Sequence, residues 1–199
     1  MNRKEKQRDL FEGDIFSDVY SDHRSKLLIS ASTLQNWQDR VLCHQEKLFK
    51  NNNIENKQGD FFTDNSEEIF NQLNPLSLTA LPLSFWRWSE SPHHGPAIYL
   101  VMDQLNSRKG HILLYVGETI SAERRWEGEH DCKKYLNAYT DALRSADLKS
   151  KLSIRFWTDV PKATKLRRKM EKKLIELWLP PFNKESRDLW NTPFTSENS

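Results

Sequence analysis

Two apolar runs, Ile98–Met102 and His111–Val116, flank the turn-rich segment DQLNSRKG with its Gly110. Apolar runs of this length, rich in β-branched residues and bounded by turn formers, pair as a hairpin, here one with a long loop. A third run, Leu152-Ser153-Ile154-Arg155-Phe156-Trp157, alternates as a half-buried strand does. Between them, Ser121 predicts the cap of a helix reaching about Asp131. A second helix is expected over about Lys133–Ala146, with Tyr135, Tyr139 and Ala142 or Leu143 on one face. After Pro161, Leu166, Met170, Leu174 and Leu177 recur at helical spacing until Pro180-Pro181 stops the helix. The order ββ-α-α-β-α predicts an α/β fold of the α+β kind: a small three-stranded antiparallel sheet flanked by helices.

The chain ahead of this unit reads differently. Residues 1–30 are polar and charged and predict a flexible arm; residues 31–90 predict a helical extension and linker. Within that extension Leu34, Trp37, Val41 and Leu48, with Cys43 or Gln45, make a helical stripe starting near Ser32 or Thr33 and ending near Lys50. The stretch NNNIENKQGD reads as a loop, and residues 61–83 show no steady period. Phe85, Trp86 and Trp88 form an aromatic cluster, expected to pack the extension onto the following unit; stacking on bases is the alternative. That unit is expected to span residues 91–190, with 191–199 as a flexible tail.

Charge is divided unevenly along the chain. Residues 1–90 carry 11 basic against 14 acidic side chains, a net of −3; residues 91–199 carry 19 against 14, a net of +5. A basic second half suits a polyanionic partner. Cys43 and Cys132 match no metal-ligand spacing and no disulfide framework, and adjacent His93 and His94 fit no metal site either. No run is long and apolar enough for a membrane span, and the first residues lack the apolar core of a secretion leader, so a cytoplasmic location is expected.

The residues able to carry chemistry are few and ordered. Tyr99 closes the triplet Ala97-Ile98-Tyr99, and Tyr115 opens Tyr115-Val116-Gly117. Arg124 and Arg125, His130, Glu171 and Asn183 follow. Glu171 is the lone acid among seven basic residues between Lys162 and Lys173, at the edge of the apolar stripe. It suits a ligand to Mg2+ or Mn2+, which keep several waters, or an i,i+4 partner of Arg167. The tyrosines also suit ordinary strand positions, Arg125 a surface position, and Asn183 an Asx turn after the prolines.

The segments YVGETISAERRWEGEH and MEKKLIELWLPPFN resemble the GIY-YIG nucleases. Arg125 stands ten residues after Tyr115, and Glu171 twelve before Asn183, an offset found in the branch with the nucleotide-excision-repair incision subunit. The resemblance runs from about Pro96 to Arg187. It implies a metal-dependent endonuclease that hydrolyses DNA phosphodiesters, in repair or recombination, with one Mg2+ or Mn2+ at Glu171. It further implies Tyr115 as the group taking a proton from water, Tyr99 positioning the water or phosphate, Arg125 clamping the phosphate, and Asn183 orienting Tyr99 or Glu171. Arg124, Lys165, Arg168 and Lys172 are expected to hold the nucleic acid. The family's histidine position falls on Glu129, so His130 either reaches the site through a local bulge or lies outside it, since one helical residue turns a side chain about 100°. Ala97 replaces the first glycine, and Glu118 stands where some members carry lysine, an acid expected to raise the pKa of Tyr115. Two other readings follow from the same residues: an inactive nucleic-acid-binding module, or a protein-interaction module. A protein partner or self-association through the N-terminal extension is also expected.

Overall fold

The computed structural model describes residues 29–51, 73–106, 109–127 and 131–194, without the side chains of 51 and 131. Residues 1–28 of the arm expected over 1–30, 52–60 of the loop expected over 51–60, residues 61–72, His130 and 195–199 of the tail expected over 191–199 lie outside the described residues.

Among the described residues, three strands and three α-helices carry the fold, besides short 3-10 turns: α1 (Ala31–Asn51), β1 (Ala97–Leu105), β2 (Gly110–Thr119), α2 (Asp131–Ser145), β3 (Ser150–Trp157) and α3 (Thr164–Trp178). The sheet is antiparallel in the order β2-β1-β3, as the sequence predicted. Central β1 is buried on both faces, which is why its sequence reads as an almost unbroken apolar run. One face of the sheet carries Ala97, Tyr99, Val101, Ile154 and Phe156, packed with Leu34, Trp37 and Val41 of α1 and Leu136, Tyr139 and Leu143 of α2. The other carries Ile98, Leu100, Met102, Leu113 and Val116 against Leu174, Ile175 and Trp178 of α3 and Phe49 of α1. The helix α1 therefore contributes to both apolar clusters.

Local chemistry explains most boundaries. The Ser30 hydroxyl accepts from the Thr33 N–H at 3.1 Å and caps α1, slightly earlier than the sequence suggested. Leu179 ends α3 in the left-handed region, with φ of 45°. Its N–H reaches the Ile175 carbonyl at 2.9 Å before the two prolines redirect the chain.

Three expectations are corrected. Residues 122–127 form successive turns rather than a helix: Arg124 and Arg125 donate to carbonyls three residues back, and the Ser121 hydroxyl turns to Glu123 at 2.6 Å instead of capping. On α3, Leu166 is 51% exposed while its neighbour Arg167 is fully buried, because the first turn of the helix faces Glu118 rather than the apolar core. Of the aromatic cluster, Phe85 packs edge-on to Phe156 at 5.2 Å, whereas Trp86 and Trp88 are 37% and 47% exposed. A single turn of 3-10 helix turns only one of these rings inward.

A register shift between Val101 and Met102 sets Tyr115 opposite Val101 and Leu113 opposite Met102. Leu114 is thus the extra residue of a β-bulge, and both Leu114 and Tyr115 turn to the α1–α2 face. Tyr115 shares the face of Tyr99 through the regular pairs Tyr99 with Gly117 and Val101 with Tyr115, and the bulge adds Leu114 to that face.

Asp103 of β1 is wholly buried in the same layer. Its carboxylate accepts from the Tyr139 hydroxyl at 2.7 Å and the Lys151 N–H at 3.0 Å, and Tyr139 accepts from Gln38 Nε2 at 2.6 Å. Burial pushes its pKa up to about 6, against the hydrogen bonds from Tyr139, Lys151 and Ser150. A pKa raised by folding means that the protonated form is the one folding favours. The contribution is full below about pH 4 and is lost as pH rises past about 6, on the order of 3 kcal/mol. Chemical denaturation from pH 4 to 8 is therefore expected to show wild type losing stability relative to Asp103→Asn as pH rises. Parallel profiles would show that Asp103 is not the titrating group.

Candidate active site at the outer edge of the sheet

The two motif tyrosines meet on one face. Tyr99 lies opposite Gly117 in the β1–β2 ladder, and its ring crosses over that glycine. A Cβ at position 117 would stand 2.3 Å from the Tyr99 ring and hydroxyl, so the close approach itself requires glycine. The Tyr99 and Tyr115 rings are 5.8 Å apart and nearly parallel, at 28°. The Tyr99 hydroxyl accepts from Arg125 Nε at 3.0 Å and Nη2 at 2.7 Å, and the guanidinium also lies 5.0 Å from the Tyr99 ring centre. Both donated N–H groups converge on the one Tyr99 oxygen.

This gives the tyrosines different characters. Tyr99 is fully buried, and burial raises its pKa well above the ordinary value, with Tyr115 adding and Arg125 opposing. Tyr115 is pushed up to about 12, first by burial and then by the Cys132 thiol, while the Tyr99 hydrogen bond and Arg125 pull it down and Glu171 raises it. The acid expected to perturb Tyr115, Glu118, is engaged elsewhere. Its Oε2 meets Arg167 Nε at 3.2 Å and its Oε1 meets Arg168 Nε at 3.4 Å. Arg167 also donates to the carbonyls of Pro161 and Lys162 and to the Thr164 hydroxyl. A guanidinium with no exposed surface needs this full set of acceptors.

The strand β2 forms an edge of the sheet, and its outward backbone groups are met by side chains. Gln45 of α1 accepts from the Leu113 N–H at 2.7 Å and donates to the carbonyls of Leu113 and Trp178, both at 3.0 Å. The Phe182 N–H reaches the Leu114 carbonyl at 2.9 Å. Asn183 pairs with Val116 in both directions, at 2.9 and 2.8 Å. Glu171 Oε1 accepts from the Glu118 N–H at 3.1 Å. Asn183 is thus buried against the strand and orients neither Tyr99 nor Glu171 directly.

Beside that edge lies a cleft of about 380 Å3 lined by Tyr115, Glu171, Asn183, Arg168 and Lys172. These five were named from sequence. Tyr99 and Arg125 stand behind Tyr115, whereas exposed Arg124 and Lys165 do not line the cleft. The cleft also holds Tyr135, Phe182, Lys184, Glu185 and Arg187, which sequence reasoning did not select. Lys184, Glu185 and Arg187 follow Asn183 immediately, so proximity to that anchor was their only signal.

Among the described residues no three His, Cys, Asp or Glu side chains converge as a ready-made metal cage. Glu171 fits a hydrated divalent cation nonetheless. Its pKa is raised by burial and by the carboxylates of Glu118 and Glu185, against the Glu118 N–H and Arg168. One of its oxygens is held by that N–H, and the other has no hydrogen-bond partner among the described residues. A carboxylate whose surroundings penalise its charge is relieved by a cation, and Mg2+ needs only one or two such ligands with water.

Residues 96–185 match the family described as the GIY-YIG catalytic domain. No curated protein and no solved structure matches the chain. Among the described residues no helix is long and apolar enough to cross a membrane.

Two substitutions probe this architecture. Gly117→Ala forces the Tyr99 ring off its seat and is expected to destabilise the fold by about 1–3 kcal/mol. The check is equilibrium unfolding, and an unchanged midpoint would mean that the ring has room to move. Glu118→Gln keeps the N–H to Glu171 but leaves the buried Arg167 guanidinium without its anion, an expected loss of about 2–4 kcal/mol by the same measurement.

Proposed function

We propose that the chain, whose residues 96–185 match the GIY-YIG catalytic domain, is a metal-dependent endonuclease acting on DNA. One observation carries this reading: Tyr115 and Glu171, far apart in sequence, line one cleft whose rim is rich in arginine and lysine.

Tyr115 serves as the proton acceptor. Tyr99 does not, because its side chain is wholly buried and burial holds its pKa well above the ordinary value. Arg125 donates two N–H groups to Tyr99 beside Tyr115, and its charge favours the Tyr115 phenolate. A guanidinium carries five donors, so three remain to Arg125 for a phosphate. Arg168 and Lys172 line the cleft where the negative charge on the phosphate builds up. Glu171 would hold Mg2+ or Mn2+ with water completing the shell, and that ion, when bound, supplies Lewis-acid polarisation and a lowered pKa nearby. Asn183 fixes the strand that carries Tyr115.

The raised pKa of Tyr115 favours a second reading, binding of DNA without cleavage. A panel of duplex, single-stranded, flap and branched DNAs with Mg2+ or Mn2+ separates the two. Wild type is expected to cleave at least one of them, and Tyr115→Phe and Glu171→Gln to lose at least a hundredfold while still binding. The single-turnover rate of wild type should climb roughly tenfold per pH unit below the Tyr115 pKa, because the base works only when deprotonated. Binding without cleavage on any substrate would decide for the second reading.

A further inference from the structure

Arg187 stands two residues beyond the matched family segment, and no role has been attached to it so far. Its side chain lines the same cleft as Tyr115 and Glu171. The guanidinium lies over the Tyr135 ring, 5.2 Å from its centre, and Tyr135 is itself stacked on Phe182 at 5.9 Å. Its side chain is only 22% exposed, yet among the described residues its sole acidic contact is Asp188 at 3.7 Å, a carboxylate 93% exposed to water. No hydrogen bond from the guanidinium to an acceptor is formed among the described residues. A guanidinium held by an aromatic face and a screened carboxylate keeps its N–H donors open to water and so to an anionic ligand. Buried Arg167, in contact with the same edge of the sheet, has its full set of acceptors.

The position is also rigidly tied to the reacting groups. Asn183 clamps Val116, next to Tyr115, with its side chain, while its carbonyl accepts the N–H groups of Ser186 at 3.2 Å and Arg187 at 2.9 Å. Trp190 closes the following turn by donating to the Leu179 carbonyl at 2.7 Å, and its own carbonyl accepts from Arg40 at 3.1 Å. Arg187 lines the same cleft as Tyr115, and Arg125 donates to Tyr99, whose ring stacks on Tyr115.

We propose that Arg187 is the anchor for a second phosphate, the one adjacent to the scissile phosphodiester, so that a single DNA strand is gripped beside Tyr115. The inference rests on reading the cleft as the strand-cleaving site. Planar, bidentate recognition of a phosphate is what a pre-positioned arginine provides and lysine does not.

The experiment measures binding of a short single-stranded oligonucleotide by the full chain in EDTA across a salt series, separately from cleavage. Arg187→Gln is expected to weaken binding about tenfold and to lower the slope of log affinity against log salt by about 0.7, the loss of one phosphate contact. Arg187→Lys should recover the slope but not all the affinity, and Arg144→Gln on α2, paired with Asp141, should change neither. Should Arg187→Gln fail to fold, wild type answers directly. The Arg187 Nε–Hε resonance is expected to shift on adding deoxythymidine 3′,5′-bisphosphate. An unchanged slope, or an unmoved resonance, overturns the proposal and leaves Arg187 as a cover for Tyr135. Binding that follows this pattern without cleavage retains the anchor and removes the nuclease reading; neither binding nor cleavage removes both.

Discussion

The outer edge of β2 is the constraint on which the rest of this structure depends. An edge strand offers unpaired N–H and C=O groups that must meet water or a partner. Here Gln45, Glu171 and Asn183 supply side-chain partners from α1, α3 and the turn after α3, and Phe182 adds a backbone N–H. These contacts bring sequentially distant segments to one line. The edge is therefore also where side chains can converge, and the cleft opens beside it. The other edge of the sheet is closed by simpler means. Leu81 bridges Ile154 through two hydrogen bonds of 2.9 Å, and Arg155 donates to the carbonyls of the turn at 75–78.

Two devices then set the chemistry of the cleft. The register that pairs Tyr99 with Gly117 and Val101 with Tyr115 sets both tyrosines on one face, their rings stacked and Arg125 donating to Tyr99. The buried ion pair of Arg167 with Glu118 removes the acid from the vicinity of the tyrosine and holds the backbone whose N–H binds Glu171. One residue thus separates two roles, its carboxylate serving Arg167 and its amide serving the candidate metal ligand. The expectation that Glu118 would act on Tyr115 failed because a buried guanidinium is a stronger attractor for a carboxylate than a half-exposed position near a phenol is a deterrent.

Much of this was legible before any coordinates. The hairpin, the third strand, α1, α2 and α3 follow from period and punctuation, and the match at residues 96–185 agrees with the resemblance read over Pro96 to Arg187. Five of the residues singled out by type and spacing do line one cleft. The turns at 122–127 were misread as a helix because a serine ahead of a polar run looks like a cap whether or not its hydroxyl is available. Leu166 and Arg167 were assigned to the wrong sides because helical period cannot tell which phase faces a neighbour when an arginine has a buried anion to reach.

The sequence by itself determined the elements, their order and the residue types available for phosphodiester chemistry, since these rest on local periodicity and on the identity of side chains. Tertiary structure alone decided which of them meet. The meeting of Tyr115 with Tyr99 depends on the register between two strands, and the roles of Gln45 and Asn183 depend on which strand is left at the edge. The membership of Tyr135 and Arg187 in the cleft depends on how the chain returns after Pro180-Pro181. Each of these is a relation between segments far apart in the chain, and no local pattern encodes it.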